Sequence, residues 1–183
     1  GVVLHENVLF NGSVRDNIAM TDPGLSMEQV IQVATLAGAH EFIAELRDSY
    51  DTQIGEQGCA LSSGQRQQIA IARAIAANPR ILIFDEAMSA LDDAAETLLQ
   101  QHMAQIAQGR TVFIMATRLS AVRQAHRIYS MDKGEIIEQG AYAGGESSVD
   151  FNNYEFTNFN THDLTLQGGW DPADNSVDST SQF

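Results

Sequence analysis

Residues 81–86 read Ile-Leu-Ile-Phe-Asp-Glu: four consecutive apolar residues ending on two carboxylates. A short run without polar alternation buries both of its faces, the pattern of a parallel strand covered by helices. Two adjacent acids do not belong inside such a layer, so they mark the strand's carboxyl end. That end is where open α/β sheets bind ligands. The neighbouring segments continue the alternation. Residues 2–4 and 111–115 are further apolar runs, and 26–46, 65–77 and 94–107 carry helical patterns. Ser26 with Gln29 three residues on predicts a capping box, Gly38 divides that segment so that a second helix runs over 40–46, and Asn78-Pro79 ends the helix at 65–77. Residues 11–23 read as turns, 121–125 as a short helix, and 128–131 with 135–138 as a hairpin around Asp132-Lys133-Gly134. The fold class expected is α/β, with helices packed on a mostly parallel sheet.

Charge divides the chain. All ten Lys and Arg of the 183 residues lie within 1–140, which carries −7; residues 141–183 hold seven acids and no base and supply the rest of the net −14. Two units are therefore expected, 1–140 and an unrelated acidic tail at 141–183. The tail keeps Phe151, Tyr154, Phe156, Phe159 and Trp170, and 161–169 alternates like a strand ending in a turn. It reads either as disordered or as a β-solenoid fragment similar to those of secreted adhesins. Asp171, Asp174 and Asp178 do not follow the calcium-loop spacing of an EF-hand. The acidic balance argues against a nucleic-acid partner, because phosphates are neutralised by clustered Lys and Arg. Cys59 is the sole cysteine, so no internal disulfide forms. His40, His102, His126 and His162 show no metal-ligand spacing.

Leu61-Ser62-Ser63-Gly64-Gln65 is a small-residue loop opening into a helix. Such a start presents unpaired N–H groups and the positive end of the helix dipole, a place for phosphate oxygens. Ser62 adds a hydroxyl, and Gly64 lets backbone approach closely. About twenty residues on, Asp85 stands where a Mg²⁺ would be held through water. Glu86 stands where a base would orient an attacking water. Read alone, each feature is also an ordinary helix cap.

Taken in order, these residues resemble the ATP-binding cassette (ABC) ATPases. Residues 2–9 look like the Q-loop segment, Leu61 to Gln65 the signature motif, 81–86 the Walker B strand, Ser89-Ala90-Leu91-Asp92 the D-loop and 114–120 the switch segment. Gly38-Ala39-His40-Glu41-Phe42-Ile43 and Gly55-Glu56-Gln57-Gly58 look most like exporters of the haemolysin type. The resemblance implies a partial P-loop NTPase domain with a helical subdomain, and ATP with Mg²⁺ as cofactors. It implies a head-to-tail dimer with a second nucleotide-binding domain, and contact of residues 11–60 with coupling helices of a transmembrane domain at the cytoplasmic face of the bacterial inner membrane. Leu61, Ser62, Ser63, Gly64 and Gln65 would meet the γ-phosphate held by the second subunit. Asp85 would hold the metal, Glu86 would act as catalytic carboxylate, and Asp92 would bridge the two sites.

Four departures stand beside the match, one of them Ser63 where the middle of the signature more commonly has Gly. No Gly-x-x-x-x-Gly-Lys-Ser/Thr loop occurs, and Gly1-Val2-Val3-Leu4 reads as a strand entered mid-domain, so truncation upstream of that loop is expected. His5 replaces the Q-loop Gln, and Thr117 replaces the switch His. The function expected is the ATP-hydrolysing cassette of a membrane exporter, with protein or peptide as cargo. The alternative is a non-catalytic donor of the signature face or a non-functional truncated product.

Overall fold

The computed structural model describes residues 1–55, 60–117, 119–122, 125–140, 142–143 and 146–147. Its central piece is a helix buried nearly all round: α4, Ser63–Ala76, hides Gln67, Gln68, Ile69, Ala70, Ile71, Ala72, Ala74, Ile75 and Ala76. A helix with no exposed stripe has neighbours on every side. On one side lies a parallel sheet of β1 (Val2–Val3), β4 (Ile81–Asp85) and β5 (Thr111–Met115), ordered β1-β4-β5. Leu82 pairs with Val112 and Phe84 with Ile114, and Val3 lies beside Phe84. Alternation then places Val3, Leu82, Phe84, Val112 and Ile114 in the core, while Val2 and Ile81 on the opposite face are more than half exposed.

On the other side of α4 lie short helices, α1 (Val14–Ile18) and α2 (Met27–Leu36), followed by α3 (His40–Glu45). A two-stranded ribbon, β2 (Gly12–Ser13) with β3 (Gln53–Ile54), closes this helical part. The predicted capping box of Ser26 and Gln29 is present at α2. Gly38, at φ +72°, breaks the chain between α2 and α3, and the buried Gln68 amide donates to its carbonyl at 2.8 Å. Helix α5 (Asp93–Ala107) buries Leu99, Met103 and Ile106 and packs against α2. Beyond it come a 3₁₀ turn, Leu119–Val122, and the hairpin β6 (Ile128–Asp132) and β7 (Glu135–Gly140). Lys133 and Gly134 at its tip both have positive φ, the two-residue turn whose twist matches antiparallel strands. A last small pair, β8 (Tyr142–Ala143) and β9 (Glu146–Ser147), follows.

Two local expectations fail. Residues 11–23 contain α1, whose N-cap Ser13 forms a capping box with Asp16. Five residues are too few to show a helical period, so the sequence reads there as turns. Where a short helix was expected at 121–125, residues 121–122 belong to the 3₁₀ turn Leu119–Val122, and 123–124 fall outside the described residues. The readings of 161–169 and of the tail aromatics fall outside the described residues.

Candidate functional site at the carboxyl ends of β4 and β5

β4 delivers Asp85 and Glu86 to the end of the sheet. Glu86 leaves the strand with φ +46°, a left-handed conformation that side chains disfavour and that marks a sharp change of direction. Its N–H donates to the carbonyl of Met115 on β5 at 2.9 Å, which fixes the turn to the neighbouring strand. Behind the turn lies a water-sized cavity of about 20 Å³ lined by Glu86, Ser89 and Thr117 among others. The structure therefore brings Glu86 and Thr117 to the wall of one cavity. Glu96, 6 % exposed, lines the same cavity and accepts from Gln100 at 2.9 Å; its place was not legible in the sequence.

His5 reaches the same turn from β1. Its Nδ1 lies 2.8 Å from Ser89 Oγ and 4.0 Å from Glu86 Oε2. The segment carrying it is held by buried Gln67, whose amide donates to the Leu4 carbonyl at 3.1 Å and accepts from Asn7 at 2.7 Å. Gln67 and Asn7 thus position His5 and escaped the sequence reading. A buried glutamine one turn after a glycine-rich loop is the signal that could have found them.

Ser62 is the N-cap of α4, not part of an open loop. Its Oγ accepts from Gln65 N at 3.1 Å, and Gln65 Oε1 accepts from Ser62 N at 3.0 Å. Among the described residues the Ser62 O–H proton and the Gln65 side-chain amide have no acceptor. The N–H groups of Ser63 and Gly64 meet no acceptor among the described residues. Leu61 gives its carbonyl to Arg66 at 2.6 Å. Gly64 is close-packed: a Cβ there would lie 3.3 Å from the Ala90 carbonyl oxygen. The start of α4 therefore abuts the turn that carries Glu86 and Ser89. Asp92 is exposed and caps α5, accepting from Ala95 N at 2.8 Å. No group of three or more His, Cys, Asp or Glu among the described residues can hold a metal ion. A single half-exposed carboxylate, Asp85, fits a Mg²⁺ that arrives with its own phosphate and water ligands, not a free ion.

Residues 1–89 match the family model described as ABC transporter. The chain is 62% identical over 143 residues to the exotoxin translocation ATP-binding protein PaxB of Pasteurella aerogenes, covering 78% of this chain and 20% of that protein. These matches assign residues 1–89 to the ABC transporter family. The leukotoxin export ATP-binding protein LtxB of Aggregatibacter actinomycetemcomitans is 63% identical over 142 residues, again 78% of this chain and 20% of the other. Among solved structures, a bacterial Atm1-family ABC exporter with ATP bound superposes with a TM-score of 0.72 at 42% identity, covering 78% of this chain and 25% of that one. The chain spans about a fifth of the length of these curated relatives. The matched ABC transporter region runs from β1 to Ser89 and so includes His5, the start of α4, Asp85 and Glu86.

Proposed function

We propose that residues 1–140 are part of the ATP-hydrolysing cassette of a membrane exporter of proteins or peptides, working at the cytoplasmic face of a membrane, with 141–183 a separate acidic tail. The observation that carries this reading is the meeting of three elements: the capped, N–H-rich start of α4, the Gly64 contact with Ala90, and the Glu86 turn at the sheet's end. In this reading Ser62, Ser63, Gly64 and Gln65, with Leu61 behind them, face a γ-phosphate bound on a second nucleotide-binding domain. Asp85 holds the nucleotide's Mg²⁺ through water. Glu86 accepts the proton of the attacking water, Thr117 and His5 line its approach, and Asp92 stands at the dimer seam. The exposed Val8 and Phe10, with the helical part behind them, suit the coupling helices of a transmembrane domain. No helix among the described residues is long and apolar enough to cross a membrane.

These 183 residues hold no Walker A loop to anchor β- and γ-phosphates. By itself the chain is then a donor of half a site, which is also the second reading. Mixing it with a cassette domain that has its own phosphate loop tests both. Mg-ATP should drive association, and Gly64→Asp should abolish it. Association indifferent to nucleotide sinks the half-site. Titrating Mg-ATP into this chain alone should release no binding heat at millimolar concentration; micromolar binding would overturn the half-site reading. Thr117 offers no imidazole to hold the water, so in a complete subunit Thr117→His should raise turnover; unchanged turnover refutes a slow site at this position.

A further inference from the structure

Ser89 has one hydroxyl proton and two short contacts. Its Oγ lies 2.7 Å from the carbonyl oxygen of Glu86 and 2.8 Å from Nδ1 of His5. A carbonyl oxygen only accepts, so the contact with Glu86 uses the hydroxyl proton. The contact with His5 is then a hydrogen bond only if the imidazole brings a proton of its own, with Nδ1–H donating to Oγ. An unprotonated Nδ1 would set two lone pairs against each other at 2.8 Å.

The same Ser89 braces the carboxylate's backbone. The Glu86 carbonyl accepts from Ser89 N at 3.1 Å as well as from its hydroxyl. Two donors on one carbonyl hold the left-handed turn at Glu86, the most constrained point of the site. His5 is exposed and has no other hydrogen bond among the described residues; besides Ser89, the Glu86 carboxylate lies 4.0 Å from the same Nδ1. Thr117, across the same cavity, has no ring nitrogen to offer.

We propose that Ser89 is a positioning residue: with its proton committed to the Glu86 carbonyl, it fixes His5 as the Nδ1–H tautomer, so that the ring's proton lies on the nitrogen 4.0 Å from Glu86 Oε2 and its lone pair on Nε2. Resting on the ATPase reading above, this gives the site one added hydrogen-bond acceptor of defined orientation. Its use is to receive a hydrogen bond from water or another donor that approaches the ring at Nε2. The hydrogen bond of one ring nitrogen decides what the other can do, which is how a second residue tunes an imidazole.

Long-range proton–nitrogen NMR of the full chain, labelled on histidine nitrogen, reads the tautomer directly. In a neutral imidazole the two nitrogens give separate pyrrole-type and pyridine-type signals. His5 should show the pyrrole-type signal on Nδ1. Ser89→Ala should move it to Nε2, the nitrogen favoured by a ring in water, while Ser89→Thr should keep it on Nδ1. Glu86→Gln should also keep it there, because the backbone carbonyl and not the carboxylate claims the serine proton. A wild-type His5 protonated on Nε2 overturns the proposal, as does an Nδ1–H ring that survives Ser89→Ala. A ring that switches in Glu86→Gln overturns it too, since the carboxylate would then be the controlling group. The wild-type spectrum decides even if a variant folds poorly. Nδ1–H in a chain that shows no nucleotide-driven association would uphold the tautomer and sink only the functional reading.

Discussion

Arg73 should be worth more to this fold than any charged residue of the candidate site. It lies on α4, and its guanidinium donates from Nε to the Asn17 carbonyl at 2.9 Å, from Nη2 to Asn17 Oδ1 at 2.8 Å and from Nη1 to the Val8 carbonyl at 3.0 Å. It also stacks over Phe10, 5.2 Å from the ring centroid. Asn17 is 2 % exposed and in turn donates to the carbonyls of Phe10 and Ser13. One fork thus ties the segment after β1 and helix α1 to the central helix. Hydrogen bonds to a charged group contribute about 1.5–3 kcal/mol each, the exposed Val8 contact at the low end. Against that stands the cost of burying the guanidinium, visible as a downward push on its pKa. The net loss expected for Arg73→Ala is about 3 kcal/mol, because the Asn17 carbonyl is left buried without that donor. With a urea slope of about 1–3 kcal/mol per molar, the midpoint should fall by roughly 1–3 M. Urea unfolding followed by far-ultraviolet circular dichroism measures it. Arg73→Lys should recover less than half, since an ammonium does not span three acceptors as a fork does. A cycle with Asn17→Ala should show coupling of about 1–3 kcal/mol. A loss below about 1 kcal/mol, or single effects that add within about 0.5 kcal/mol, would refute the clamp.

Other consequences are smaller or more local. Ser62→Ala should cost about 1 kcal/mol and Ser62→Gly only a few tenths, because both lose the cap bond but glycine keeps the cap backbone accessible; equal losses in thermal melts would place the Ser62 hydroxyl elsewhere. Gly55→Ala should destabilise the β2–β3 end, since φ is +112° and an added Cβ would collide with the side chain and backbone of Asn11; unchanged melting would refute that geometry. Burial pushes the Tyr50 phenol up to about 12, so in ultraviolet titration one of the four tyrosines should ionise late. A folded value above the unfolded one of about 10 gives stability that is present below pH 10 and lost as pH rises through 12. Four phenols titrating together near 10 would contradict the buried site. Phe84→Ala, at the centre of the sheet, should cost about 3–5 kcal/mol by the same urea assay; a loss under 1 kcal/mol would mean the strand is not core.

Local rules carried the sequence a long way here. An unbroken apolar run followed by two acids determined that β4 is a parallel strand with Asp85 and Glu86 at its carboxyl end, though burial of both faces, which the run implied, fails at Ile81, 53 % exposed; the capping pattern at Ser26 determined the start of α2. A glycine needing positive φ marked the break at Gly38. Each of these depends on a few consecutive residues, so composition and spacing encode it. The ten candidate site residues follow one another along the chain in motif order, and their roles are those proposed above. What the tertiary structure alone decided is which side chains meet. Gln67, Arg73 and Asn17 look like ordinary polar residues on helices, and their buried roles come from contacts across more than fifty positions. Helix α1 shows the same limit: too short for a period of its own, it is held by Asn17 and Arg73. The pairing of His5 with Ser89 spans 84 positions and depends on β1 lying beside β4. Sheet order set that neighbourhood, and the hydroxyl's single proton set its chemistry.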